Sequence, residues 1–273
     1  MGPSEHRRIF ERLYETFNRP EFIHPDPVEF LHRYDDIRDR EIVGLVASSL
    51  AYGRVAQIMK TVSSVLAAMG DHPARFVMDA HRDHLSARFC GFRHRFTTDD
   101  ELVLTLLGAR DLIRRHGSLE EAFGSGIGDG SDPTVMGALC RFAEGLNGRF
   151  GGVCNSLVPH HEKKSSMKRL NLFLRWMVRK DRVDPGGWSR VSPSRLVVPL
   201  DTHLFRIARG LGFTEKKSAG LAAVLEITGR FREISPDDPV KYDFALTRFG
   251  IRGDLRGRDM SLFCSSLAGG DMA

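Results

Sequence analysis

From residue 5 to residue 249 the chain is patterned at helical periods, and it contains no run of alternating β-branched residues long enough to build the core of a sheet. That restricts the fold. Apolar residues recurring every three to four positions bury against other helices, whereas a sheet core needs a period of two repeated over several strands. Ile9, Leu13 and Phe17 make one such stripe. Asp26-Pro27 sets a cap and a first-turn proline ahead of Phe30, Leu31 and Tyr34. The stretch 36–52 is strongly apolar from Ile42 onward, reads as the most buried helix of the amino-terminal half, and breaks at Gly53. A helix from Val55 to Met69 ends at Gly70.

Thr98 is placed to cap a helix over 101–116, and Ser118 to cap a short one after it. Further helical segments are expected at 135–150, 168–180, 201–211, 217–230 and 239–249. About ten helices joined by short connections predict an all-α fold. One unit over 1–273 accounts for the length, divisible into a lobe at 36–150 and a lobe of 1–35 plus 151–273, with a basic crevice between them.

Composition excludes more than it selects. With 41% hydrophobic and 27% charged residues the chain is of ordinary globular type, and a net charge of +5 permits a polyanionic partner without demanding one. The amino terminus is charged and lacks an apolar signal core, and no stretch has the apolar length of a membrane span. The four cysteines (Cys90, Cys140, Cys154, Cys264) are scattered, with no C-x-x-C pair. The expectation is a cytoplasmic protein with reduced thiols, no metal and no cofactor.

The segment Ser165–Leu211 carries the candidate chemistry. Lys168 opens one cationic helix and Asp201 opens the next, 33 residues later. On its own, Lys168 reads first as a solvated lysine. At the mouth of a crevice, Lys164, Arg169 and the helix dipole would disfavour its ammonium form and leave a free amine, the form a Schiff-base nucleophile requires. Asp201 within Pro199-Leu200-Asp201-Thr202 reads first as an N-cap, and a carboxylate pinned in that way can also stabilise a cationic sugar. His203 follows on the same turn.

Arg169, Arg175, Arg179, Lys163 and Lys164 supply candidate phosphate contacts, and Trp176, Trp188, Phe92 and Phe96 candidate stacking surfaces, with core packing the plainer reading for each aromatic. Between Arg88 and Phe96, cations alternate with Phe89, Phe92 and Phe96, a pattern that grips nucleic acid or edges a core.

The string VPLDTHLFRIARGLG resembles the signature of the helix-hairpin-helix DNA glycosylase superfamily, whose catalytic aspartate falls on Asp201. KRLNLFLRWMVR at 168–179, PLDTH, GRFREISPDDPVKYDFAL and the following FGI resemble the DUF2400 family of bacterial proteins, and that resemblance covers most of the chain. The glycine-rich hairpin of most lyase-type members is missing before Asp201. The longer interval, with a lysine opening its helix, is similar to the archaeal 8-oxoguanine glycosylase branch and carries the lyase nucleophile to Lys168. The iron–sulfur cysteine loop of endonuclease III relatives is absent. The corner Ser48–Arg54 falls where superfamily members approach a lesion, which adds Tyr52 and Arg54 as DNA contacts.

The resemblance implies a two-lobed helix-hairpin-helix glycosylase fold and a monomeric, nucleoid-associated DNA glycosylase/AP lyase of base excision repair. Its partner would be double-stranded DNA containing an oxidised purine, 8-oxoguanine foremost. Two other readings fit the same residues. One is a monofunctional glycosylase for alkylated or deaminated bases, and the other a non-catalytic helical module that binds DNA or RNA.

Overall fold

The structure is a computed structural model and describes residues 2–128, 132–151, 155–158 and 165–251, without the side chains of 249–251. In chain order the helices of the first half are α1 (Pro3–Phe17), α2 (Ile37–Ser49), α3 (Val55–Met69), α4 (Pro73–Asp79), α5 (Arg82–Arg88) and α6 (Asp99–His116). There follow α7 (Leu119–Gly124), α8 (Met136–Leu146), α9 (Lys168–Val178), α10 (Thr202–Gly210), α11 (Leu221–Ile234) and α12 (Asp243–Ile251). The one sheet among the described residues is a hairpin of two-residue strands, β1 (Arg93–His94) and β2 (Thr97–Thr98). The chain is all-α, as its periodicity predicts.

Side-chain caps start many of these helices where the sequence places them. The Asp36 carboxylate accepts the Arg38 and Asp39 amides at 2.7 and 3.3 Å. Thr98 and Glu101 form a reciprocal capping box on α6, which Gly117 ends in the left-handed conformation. Ser118 accepts the Glu121 amide at 2.9 Å and starts α7.

Several boundaries depart from the expectation, among them the end of α8, at Leu146 and not at Phe150, and the end of α11, at Ile234 and not at Arg230. The segment after Asp26 winds as a 3₁₀ helix, Pro27–Arg33, packed on α2 and α3, while Asp26 still caps it through the Val28 amide. Helix α11 begins at Leu221 and not at Lys217, because Lys216–Ser218 is exposed and burial begins at Ala223 and Val224. Helix α12 begins at Asp243, since the Asp238 carboxylate accepts the Val240 amide and turns the chain first.

Packing gathers the elements into two neighbourhoods that share one continuous apolar core. In one, α1 lies against α11 and α12, and α10 against α12. In the other, α6 meets α4, α5, α7 and α8. A Cβ on Gly108 of α6 would collide with the Leu146 backbone of α8, so this crossing is as close as two backbones allow.

Helix α9 lies along α2 in the same way. A Cβ on Gly44 would come within 3.2 Å of Phe173 and 3.3 Å of the Met177 sulfur. The sequence suggests a one-sided cationic helix for α9, but from Leu170 to Val178 every residue except Leu172 is buried. Leu170, Phe173, Leu174, Trp176 and Met177 are wholly enclosed, each contributing about 1.5–3 kcal/mol of apolar burial. Lys168 and Arg169 at the start of α9, and Leu172 one turn on, reach partly exposed ground.

Candidate functional site

Asp201 is half-buried at the N-cap of α10, where its Oδ1 accepts the His203 and Leu204 amides, both at 2.8 Å. Two short bonds to one oxygen fix the carboxylate plane at the positive end of the helix. His203 acts here through its backbone amide. Leu204 and Ala208 are the buried residues of α10, which leaves Arg206 and Arg209 exposed.

Lys168 is the first residue of α9 and half-exposed, with no hydrogen bond or ion pair to any described residue. It follows Met167, a buried residue held at φ 47°, ψ 34°, a left-handed conformation that costs a non-glycine residue about 1 kcal/mol or more. Surrounding bonds enforce this turn. The Met167 amide donates to Ser165 Oγ at 3.1 Å, and Asn171 Nδ2 donates to the Ser166 carbonyl at 3.0 Å.

Beside it Arg169 donates to the Ser49 carbonyl at 3.0 Å, and its guanidinium lies 5.0 Å from the centre of the Tyr52 ring. Arg169, Ser49 and Tyr52 therefore meet at the α9 N-terminus. Ser49 Oγ and Asn171 Oδ1, both buried there, have no hydrogen-bond partner among the described residues. Arg54 stands exposed at the start of α3, without an ion pair to a described residue.

Three expected DNA contacts are relocated. Arg175 and Arg179 are each 4% exposed at the side chain and serve as internal cations. Arg175 grips Asp184 at 2.9 Å and Asp243 of α12 at 2.5 Å. Arg179 pairs with Asp181 at 2.9 Å, with Asp238 at 2.8 Å and with Asp184. Their donors are taken by carboxylates, so neither is placed to reach a phosphate. Trp176 is fully buried and cannot offer a face to an extruded base. Lys163 and Lys164 lie outside the described residues.

The charges inside this network are held by one another. Burial works against both guanidiniums, yet Asp184 and Asp243 around Arg175, and Asp184, Asp238 and Asp181 around Arg179, more than offset it and hold both above the ordinary arginine range. Asp243 bears the strain of this arrangement: burial pushes its carboxyl up to about 6, Arg175 pulls it back, and nearby Asp201 and Asp184 push it further up. Asp201 is thus electrostatically adjacent to the α9–α12 joint. Lys168 sits on the same stripe of α9 as Arg175, two turns or about 10 Å away along the axis.

Sequence reasoning passed over four cations. Arg206, Arg209, Lys216 and Lys217 are exposed and make no ion pair with a described residue. The Leu204/Ala208 spacing alone places Arg206 and Arg209 on the outer face of α10. Cys90 and Cys140 are free thiols, and the other two cysteines lie outside the described residues. No described helix is long and apolar enough to cross a membrane. A cavity of about 460 Å³ lies against α3, α4 and α5, lined by His72, Arg75 and His84, and another of about 540 Å³ beside Tyr14 and Asp181. Neither is lined by Lys168 or Asp201.

Residues 26–252 match the family described as "Protein of unknown function (DUF2400)", so the chain belongs to that family. No curated protein and no solved structure matches it significantly.

Proposed function

We propose that this member of the DUF2400 family is a DNA glycosylase with AP lyase activity, acting on an oxidised purine, 8-oxoguanine foremost, in duplex DNA. The observation that carries the reading is the fixed carboxylate of Asp201 at the N-cap of α10, a helix packed on α12, whose Asp243 pairs with Arg175 of the helix that Lys168 opens. The strained, well-braced turn at Met167 adds support, because unfavourable backbone is retained where a side chain must be aimed. In this reading the fold is the two-lobed helix-hairpin-helix glycosylase arrangement, and the DNA lies in a basic crevice that includes Arg54, Arg169, Arg206 and Arg209.

The damaged nucleotide is extruded from the duplex. The Lys168 amine lone pair attacks C1′, the C1′–N9 bond breaks, and its electron pair leaves with the purine, which takes up a proton. Asp201 stabilises positive charge on the sugar and accepts the proton the amine loses. The C1′–O4′ bond then opens with its electron pair on O4′, which takes up the proton Asp201 received, and leaves an iminium; loss of a C2′ proton expels the 3′ phosphate with the C3′–O electrons.

Borohydride added during reaction with 8-oxoguanine duplex should trap a covalent protein–DNA adduct. An adduct of equal yield from Lys168→Ala would remove the nucleophile. Base release without strand scission would select the monofunctional reading, and salt-sensitive binding with no base release from any lesion would select the non-catalytic one.

A further inference from the structure

Phe96 is 63% exposed, the most exposed large apolar side chain among the described residues. It occupies, with Arg95, the two-residue tip of the β1–β2 hairpin, whose register pairs Arg93 with Thr98 and His94 with Thr97. Hydrophobic burial alone would turn this ring inward, and the structure supplies specific means to keep it out. Arg95 is held at φ 56°, a left-handed conformation rare for arginine, and its side chain runs over Gly53, where an added Cβ would lie 3.0 Å from it. Beneath the tip His94 and Thr97 are buried, and Tyr52 ties both in by bonding to the His94 carbonyl at 2.8 Å and to Thr97 Oγ1 at 2.5 Å. His94 Nε2 returns a bond to the Tyr52 carbonyl at 3.0 Å.

The result is a rigid stalk with an aromatic end. The Phe96 ring stacks on Tyr52 with centroids 5.2 Å apart and planes 28° from parallel, so one face is backed by protein. An intercalating wedge uses both faces or a leading edge, whereas a ring backed on one side is suited to stack on a single base. Cations surround it: Arg54, Arg93 and Arg95 are exposed, the Arg95 guanidinium is 6.0 Å from the Phe96 centroid, and Arg169 reaches Tyr52. Of the acids that follow the hairpin, Asp100 is exposed and the other two accept backbone amides. Asp99 accepts the Gly91 amide, and Glu101 accepts the Thr98 and Ser156 amides.

We propose that the exposed face of Phe96, opposite the one that Tyr52 backs, forms a platform that stacks on one unpaired nucleobase of DNA, with Arg54, Arg93 and Arg95 contacting the phosphates beside it. In the reading above, on whose nucleic-acid partner this rests, that base is the one left without a mate when its partner nucleotide is extruded. Stacking on an aromatic side chain is tolerant of sequence because every base has a π-face.

The test uses the full chain and uncleaved duplexes carrying 2-aminopurine, either paired with thymine or opposite a stable abasic analogue. The wild-type protein should quench the unpaired fluorophore and bind that duplex more tightly than the paired one. Phe96→Ala should abolish the quench and weaken binding to the unpaired duplex roughly 10-fold or more, while paired duplex changes by less than about twofold. Phe96→Trp should restore both. Equal loss on both duplexes, or an unchanged quench in a Phe96→Ala protein with wild-type thermal unfolding, would overturn the platform. Since neither duplex needs to be cleaved, Phe96-dependent quenching without base release from any lesion would reject the glycosylase and keep the platform. Base release by a Phe96→Ala protein that binds and quenches normally would do the reverse.

Discussion

Arg175 on α9 and Asp243 on α12 close an ion pair at 2.5 Å with both side chains inside the protein. The pair joins the helix that Lys168 opens to the helix against which α10 packs, so one buried ion pair couples the two halves of the candidate site. Arginine suits this position because its planar fork serves Asp184 and Asp243 together.

Removing that cation should be costly in stability. In Arg175→Ala the buried Asp243 loses its counter-charge and Asp184 loses one of its two, an expected loss of about 3–5 kcal/mol. Urea unfolding measures it. The salt dependence of DNA binding by whatever remains folded should match wild type, since the guanidinium faces no solvent. A stable variant with a flattened salt slope would return Arg175 to the DNA surface.

Asp243 predicts a pH dependence with a definite sign. Its folded value of about 6 lies above the unfolded value of about 3.9. Between these limits the folded protein holds a proton that the unfolded chain has released. The contribution to stability is therefore fully present below about pH 4 and is lost as pH rises through 6. Asp243→Asn should be at least as stable as wild type at pH 7.5, by up to about 3 kcal/mol, with the advantage falling to about 1 kcal/mol at pH 4.5 and vanishing below pH 4. Denaturant melts at the two pH values decide it. A difference that does not change with pH would show that Asp243 does not titrate in this window.

What was legible in the sequence is what local chemistry determines. The caps at Asp26, Thr98, Ser118 and Asp201 work between residues two or three apart, and each sits at the start of its helix. The interior of α9 was illegible because two of the four carboxylates that hold its arginines are remote: Asp238 and Asp243 lie some 60 residues further on, and the helix alone shows only cations on an apolar background. The hairpin was illegible for a different reason, since two-residue strands leave no periodic trace and Tyr52 secures them from a separate corner of the chain. Arg206 and Arg209 were legible in the Leu204/Ala208 spacing and passed over in favour of the denser cluster on α9.

At Asp201, cap and charge can be separated. Asparagine is as good an N-cap as aspartate, so Asp201→Asn should unfold within about 0.5 kcal/mol of wild type, whereas Asp201→Ala should lose about 1 kcal/mol. If the carboxylate stabilises a cationic sugar, both variants should lose about 100-fold or more in single-turnover base release, independent of their difference in stability. An Asp201→Asn protein releasing base at the wild-type rate would reduce Asp201 to a cap.

The outer face of α10 gives the converse of the Arg175 experiment. Arg206 and Arg209 are exposed, without ion pairs to described residues, and close in sequence to Asp201, so their removal should barely affect folding. Every phosphate that the protein no longer neutralises flattens the slope of log binding constant against log salt by about 0.9. The double variant Arg206→Gln, Arg209→Gln should therefore flatten that slope by about two, weaken binding at low salt on damaged and undamaged duplex alike, and melt at the wild-type temperature. Fluorescence anisotropy across a salt series measures the slope. A slope equal to wild type would place the DNA away from α10, and would leave Asp201 with no phosphate-binding cation on its own helix to bring a sugar to it.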